Sequence, residues 1–339
     1  MEKNNYSKHF LIFVILILAL IFSYRDFLVT YRMMLIGDYF PYYQYQNHII
    51  YILSGEEDFK DTLPMSVRYL GIYLQLLIYK IFPCFKLTGI DLANKHELYE
   101  CTTFSLAILN YTCKYLFYVV FFFYLKNKLN RGLLESFIGL ILAALFFQYL
   151  ENFTLDRLAV LYLSIILYFQ NNLRTSNILI LLSFLVNEKI LIVLGPLFFF
   201  RFIFFRKNLS LLTSSFFASI FYFVMIFFLT KYFDFKFSSI YEGAGIDRIF
   251  LDVFNKSHLS NSILPILFCI LPYLISIFIK KKFDLNYSNF EIIIPFIMWI
   301  LAYGGGENNI GRYVMHTIPL WIPILSSQLA YFLKMKKIF

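Results

Sequence analysis

From Phe10 to Leu333 the chain is a succession of apolar runs separated by short polar segments, and many of the runs are long enough to be whole helices. About 20 apolar residues is the length a helix needs to cross a bilayer core roughly 30 Å thick. A single such run would be ambiguous, but their recurrence excludes most soluble folds. The composition agrees: 60% of residues are hydrophobic and 15% charged, whereas soluble domains run nearer half apolar and a quarter charged. The expected class is an all-α polytopic membrane protein with about ten transmembrane helices. No stretch is long and polar enough for a separate soluble domain, so residues 1–339 read as one transmembrane domain. DNA-binding protein, secreted hydrolase and cytosolic enzyme are poor readings of such a chain.

The expected spans lie near 10–23, 104–125, 132–150, 157–170, 176–187, 189–205, 210–230, 261–279, 289–303 and 313–333. The first follows Lys3 and Lys8 like a signal peptide. No small-residue cleavage site follows it, so it reads as an uncleaved first helix. Placing the N-terminus in the cytoplasm and alternating sends half of the 30 Lys and Arg residues into short cytoplasmic segments. These include Lys126, Lys128 and Arg131; Arg201, Arg206 and Lys207; Lys280 to Lys282; and Lys334, Lys336 and Lys337. The acids on that side are Glu2, Glu135, Asp284 and Glu291. This is the charge asymmetry of the positive-inside rule, so the formal charge of +9 calls for membrane orientation and not for nucleic acid. Both termini are expected in the cytoplasm, in the inner (plasma) membrane of a bacterium. Two longer hydrophilic stretches, 25–103 and 231–260, then fall outside. In the first, residues 64–83 are apolar yet carry Arg68, Gln75 and Lys80, a pattern suited to an interfacial helix.

The cysteines Cys84, Cys101, Cys113 and Cys269 form no CxxC pair, and zinc sites or a disulfide framework have little support. Unpaired thiols are the expectation, with Cys101–Cys113 as the pairing an oxidising face would permit.

Ionisable groups at membrane depth cost about 2.5–3.5 kcal/mol each on insertion scales and mark functional candidates. Here they gather at the outer ends of the spans. Asp38 lies in Gly37-Asp38-Tyr39-Phe40-Pro41-Tyr42-Tyr43, where Gly37 and Pro41 turn the chain. A carboxylate among aromatics suits a general base, although Asp is also a common helix N-cap. Arg312 and His316 stand four apart after the glycine-rich Gly304-Gly305-Gly306, which puts both on one helix face. An arginine fork there suits a phosphate; snorkelling to headgroups and a packed histidine are the plainer alternatives. Glu188 and Lys189 interrupt an apolar stretch: Lys189 can bind phosphate with Glu188 paired to it, or the two mark a simple external turn. Glu151 and Asp156 flank a short outer loop and are weak candidates for a divalent cation, Mg or Mn. Tyr39 and Tyr42 can pack on a sugar face, as interfacial aromatic belts also would.

Taken together these features resemble the GT-C superfamily of integral-membrane glycosyltransferases, which draw sugars from polyprenyl-phosphate carriers. The resemblance rests on a first helix followed by an external loop opening on Gly37-Asp38-Tyr39-Phe40-Pro41, on the interfacial segment Pro64 to Pro83, on the Asn187-Glu188-Lys189-Ile190 break ahead of Pro196, and on Arg312-Tyr313 followed by Pro319 and Pro323. The usual acidic pair of the first loop is a single Asp38 here, and the Lys-Glu order is reversed.

The resemblance implies transfer of a sugar from a polyprenyl-phosphate-linked donor to a glycan, lipid or protein acceptor on the extracytoplasmic face. Asp38 would take the acceptor proton. Arg312, with Lys189, would hold the donor phosphate, and Glu188, His316, Tyr39 and Tyr42 would line the site. The alternatives are a lipid-linked glycan polymerase or ligase of the O-antigen type, and a non-enzymatic transporter of polysaccharide or lipid.

Overall fold

The computed structural model describes residues 10–24, 27, 43–56, 67–82, 98–147, 150, 155–236, 256–278, 289–304 and 310–335, and every regular element among them is helical. In chain order the helices are α1 (Phe10–Tyr24), α2 (Tyr43–Ser54), α3 (Tyr69–Ile81), α4 (Tyr99–Phe123, extended by one π turn, Tyr124–Lys128), α5 (Leu133–Phe147), α6 (Asp156–Phe169), α7 (Leu173–Leu182, tightening to a 3-10 turn at Ser183–Leu185), α8 (Glu188–Phe205), α9 (Leu209–Phe233), α10 (Lys256–Phe278), α11 (Ile293–Gly304), α12 (Ile310–Met315) and α13 (Ile318–Met335).

Local chemistry sets several boundaries. Asn172 and Asn187 cap α7 and α8, their side-chain oxygens accepting from the backbone N–H groups of Thr175 and Lys189 at 3.3 and 3.0 Å. The turn from α8 into α9 is made by Arg206 and Asn208, both in the left-handed region with φ of 54° and 68°. Each of the ten expected spans falls on a helix, but two runs, Tyr99–Lys128 and α9, are both long and apolar enough to cross a bilayer. Among the described residues the other expected spans do not meet both criteria, so two clear spans stand where about ten are expected, and several of the others are shortened or interrupted. A 15-residue helix reaches only about 22 Å; α7 tightens at its end; α8 opens on two charges; and a turn at His316 and Thr317 divides α12 from α13.

One apolar core runs through α4, α5, α6, α8, α10, α12 and α13. The tightest approaches use glycine. A Cβ on Gly139 of α5 would stand 2.5 Å from Leu125 and 3.5 Å from Ser326, so its absence lets α5 lie against both α4 and α13. A Cβ on Gly71 of α3 would stand 2.2 Å from Leu155, which brings the interfacial helix down onto the start of α6. The segments 38–54 and 64–83, read as parts of an external loop, supply α2 and α3, and both pack on α4. By contrast α9 turns most of its apolar surface outward: Phe216, Phe223, Phe227 and Tyr232 are each more than 60% exposed.

The ion pairs sort into two ends. α6 and α8 both begin at the Lys189–Asp156 pair, and Arg201, in the last turns of α8, binds Gln170 just past α6 (3.0 Å) and Glu291 (2.9 Å). From Lys189 to Arg201 the helix covers roughly 18 Å. At the second end Glu135 lies near Arg131 (3.7 Å) and Lys334 (3.9 Å). These partners, Arg131, Glu135, Arg201, Glu291 and Lys334, are all residues expected on one face, and those at the other end are all expected on the opposite face.

Cys101 is disulfide-bonded, whereas Cys113 and Cys269 are free thiols. Cys101 therefore departs from the expectation of unpaired cysteines, and the Cys101–Cys113 pairing is not the one formed.

Candidate functional site

The first turn of α6, the first turn of α8 and the turn between α12 and α13 meet at one point. α6 supplies Asp156, α8 supplies Lys189, and the turn supplies His316; all three are at most 2% exposed. Lys189 Nζ donates to Asp156 Oδ1 at 2.9 Å, and His316 Nε2 stands 3.3 Å from the same oxygen. Lys189 Nζ also lies 4.1 Å from the centre of the Tyr313 ring, a cation–π contact across two elements. The Asn187 cap fixes the backbone of Lys189, so the ammonium is held from both ends. Beside the cluster Ala159, Leu163, Ile190 and Val193 close in on Lys189 and His316 and leave a crevice too narrow to hold a water molecule. In this arrangement Lys189 answers Asp156, and an incoming anion has to compete for it.

A second pair adjoins the first. Arg68, at the start of α3 and 2% exposed, grips Glu188 with two hydrogen bonds, Nε to Oε2 at 3.0 Å and Nη2 to Oε1. Val67 anchors the same point by packing with Leu191, Tyr222 and Leu229. Helix α3 is thereby tied to the residue immediately before Lys189.

Four of the sequence candidates can be placed, and they change partners. Lys189 and Glu188 do not pair with each other: adjacent residues on a helix point about 100° apart, and each meets a different opposite charge. His316 is not on a common helix face with Arg312, because α12 stops at Met315 and the His316 N–H bonds to Tyr313 O in a tighter turn. Asp156 is bound to Lys189 at Oδ1; among the described residues no three His, Cys, Asp or Glu side chains gather as a metal site. Asp38, Tyr39, Tyr42 and Glu151 lie outside the described residues. Arg312 is placed by its backbone in α12, next to the Tyr313 that meets Lys189, and its side chain is outside the description.

Sequence reading placed Arg68 in an interfacial helix and Arg157 at the outer end of a span, assigning neither a partner, and it did not single out Lys114. Lys114 of α4 and Arg157 of α6 are both 2% exposed and converge on one ring, standing 6.0 and 5.9 Å from the centre of Phe147. The available signal was a lone lysine inside an otherwise apolar α4; nothing in the sequence told which helix it would meet.

No family model, no curated protein and no solved structure matches the chain.

Proposed function

We propose that the chain is a multi-pass membrane glycosyltransferase that takes its sugar from a polyprenyl-phosphate-linked donor and transfers it on the extracytoplasmic side. The observation that carries the reading is the contact of Lys189 with Tyr313. Residues more than a hundred positions apart, which the resemblance assigns jointly to the donor phosphate, meet at one end of the helix bundle: Lys189 directly, and Arg312 through the backbone of the adjoining residue. Lysine ammonium and arginine guanidinium are the groups that stabilise charge developing on a departing phosphate.

Two further observations support the membrane setting. The outward aromatic face of α9 is unfavourable in water and is the expected arrangement against lipid. The sorting of ion pairs into two ends separated by apolar helix agrees with polar groups confined to two interfaces. Cys101, expected on the outer side, is oxidised, as suits an extracytoplasmic compartment. With nucleotide sugars confined to the cytoplasm, a transferase working on the outer side must draw on a lipid carrier.

In the proposed step Asp38 accepts the proton of the acceptor hydroxyl, the acceptor oxygen forms the new glycosidic bond, and the sugar–phosphate bond breaks in line. Lys189 and Arg312 then face the lipid phosphate that leaves. No step is routed through a metal ion.

The test is donor binding by the purified protein in lipid nanodiscs, followed with a labelled polyprenyl-phosphate hexose. Arg312→Ala is expected to weaken donor binding at least tenfold and to leave acceptor binding within twofold. Unchanged donor affinity removes the phosphate role. Movement of the lipid-linked sugar across the bilayer without any glycosylated product would mean a transporter.

A further inference from the structure

The chain has four cysteines, Cys84, Cys101, Cys113 and Cys269. Cys101, in the first turn of α4 and 0% exposed, is disulfide-bonded, and Cys113 and Cys269 are free thiols. Within one chain the cysteine left to pair with Cys101 is Cys84, which lies outside the described residues. Cys113 could not have served. Twelve residues further along the same helix, it stands about 18 Å away, whereas a disulfide needs its Cα atoms within roughly 7 Å.

Geometry on the described side of the bond agrees. α3 ends at Ile81, and Phe82 just beyond it meets Phe104 of α4 edge to face, with ring centres 6.4 Å apart. Cys84 follows Phe82 by two residues, a reach of at most about 7 Å. Phe104 follows Cys101 by three, and residues so spaced are neighbours on one helix face. Phe82 therefore delivers the chain to the face of α4 that carries Cys101.

The bond falls where α3 is otherwise least anchored. Its buried residues, Gly71, Ile72 and Gln75, all lie in its first half, and Val67 and Arg68 secure the residues just before it. In the second half Leu77 and Ile81 are more than half exposed. A covalent tie at that end supplies what packing does not. The position of α3 bears on the site because Gly71 sets it against Leu155, one residue before Asp156.

We infer that Cys84 and Cys101 form a disulfide that pins the far end of α3 to α4, and that the placement of α3 beside the Lys189–Asp156 cluster depends on the oxidation of these two thiols. Forming the bond removes two protons and two electrons. One thiolate of the pair attacks the disulfide of a dithiol–disulfide oxidoreductase and gives a mixed disulfide; the second thiolate then displaces the oxidoreductase, which leaves as a dithiol. Such oxidants act on the extracytoplasmic side of a membrane. The inference does not depend on sugar transfer.

The experiment takes the full chain, purified without reductant, alkylates it, digests it with trypsin and reads the peptides by mass spectrometry. Cleavage after Lys80, Lys86, Lys95 and Lys114 leaves Cys84 in residues 81–86 and both Cys101 and Cys113 in residues 96–114. These two peptides are expected as one linked species, kept in Cys113→Ala and lost in Cys101→Ala. Alkylated Cys84 in the unaltered protein, or a dimer linked through Cys101, overturns the pairing. The dependence of α3 is read by amide exchange and thermal unfolding. Cys84→Ala is expected to exchange at least tenfold faster over residues 76–81 and to melt about 5 °C lower. Reducing the folded, unaltered protein with a phosphine is expected to do the same and needs no variant to fold. Unchanged exchange and melting after the bond is broken overturn the role given to it.

Discussion

At the scale of the residue, the protein resolves the cost of burying charge by pairing across helices. Lys189 and Asp156 are each about as deeply buried as Ile190 beside them, yet both keep a partner within hydrogen-bond reach. Removing one member of a buried pair leaves the other desolvated, which costs about 3–5 kcal/mol, whereas replacing both by neutral groups of similar size is often close to neutral. Lys189→Met is therefore expected to lower the melting temperature markedly, Asp156→Asn to do the same less strongly, and the double variant to recover most of the loss. Thermal unfolding of the four proteins in detergent gives the coupling directly. Strict additivity of the two single effects would mean that the pair contributes nothing.

At the scale of the element, α3 is the helix whose position matters most, because it touches three others just beside the cluster. Gly71 gives it close access to Leu155, one residue before Asp156. Gly71→Val must displace either Leu155 or α3 itself, and overpacking of this kind costs about 1–3 kcal/mol. The expected outcome is faster amide exchange in residues 69–81 and recovery when Leu155→Ala is added to make room; equal exchange in all three proteins would contradict it.

The same elements show how far the sequence can be read. The apolar segments were legible as helices, because hydropathy acts segment by segment. The residues later found paired at each end had already been sorted to that end by alternation. Partners were not legible. Glu188 reads as the mate of Lys189 beside it and is bound instead by Arg68, 120 positions away, since pairing depends on which helices become neighbours. The break at His316 had a signal in Pro319, whose nitrogen cannot donate to Met315 O and which suits the first turn of a new helix; at the break Thr317 Oγ1 and the His316 N–H bond back to Val314 O and Tyr313 O.

At the scale of the whole molecule, the account assigns distinct tasks to the two ends of one bundle. The end with Arg131, Arg201 and Lys334 is the one that the proposal places at the cytoplasm. The other end gathers Arg68, Asp156, Glu188, Lys189 and His316 beside α3 and is the place where lipid-carried sugar would be used. The central claim is that sugar leaves a polyprenyl phosphate at this outer end with Asp38 as the base. Its most direct test is transfer of labelled hexose from a polyprenyl-phosphate donor in sealed proteoliposomes of known protein orientation. The unaltered protein is expected to form glycosylated product only when the acceptor is supplied on the side opposite the termini, and Asp38→Asn is expected to cut the rate at least a hundredfold with insertion and melting temperature unchanged. Full activity in Asp38→Asn, or product formed with acceptor on the side of the termini, would contradict the account.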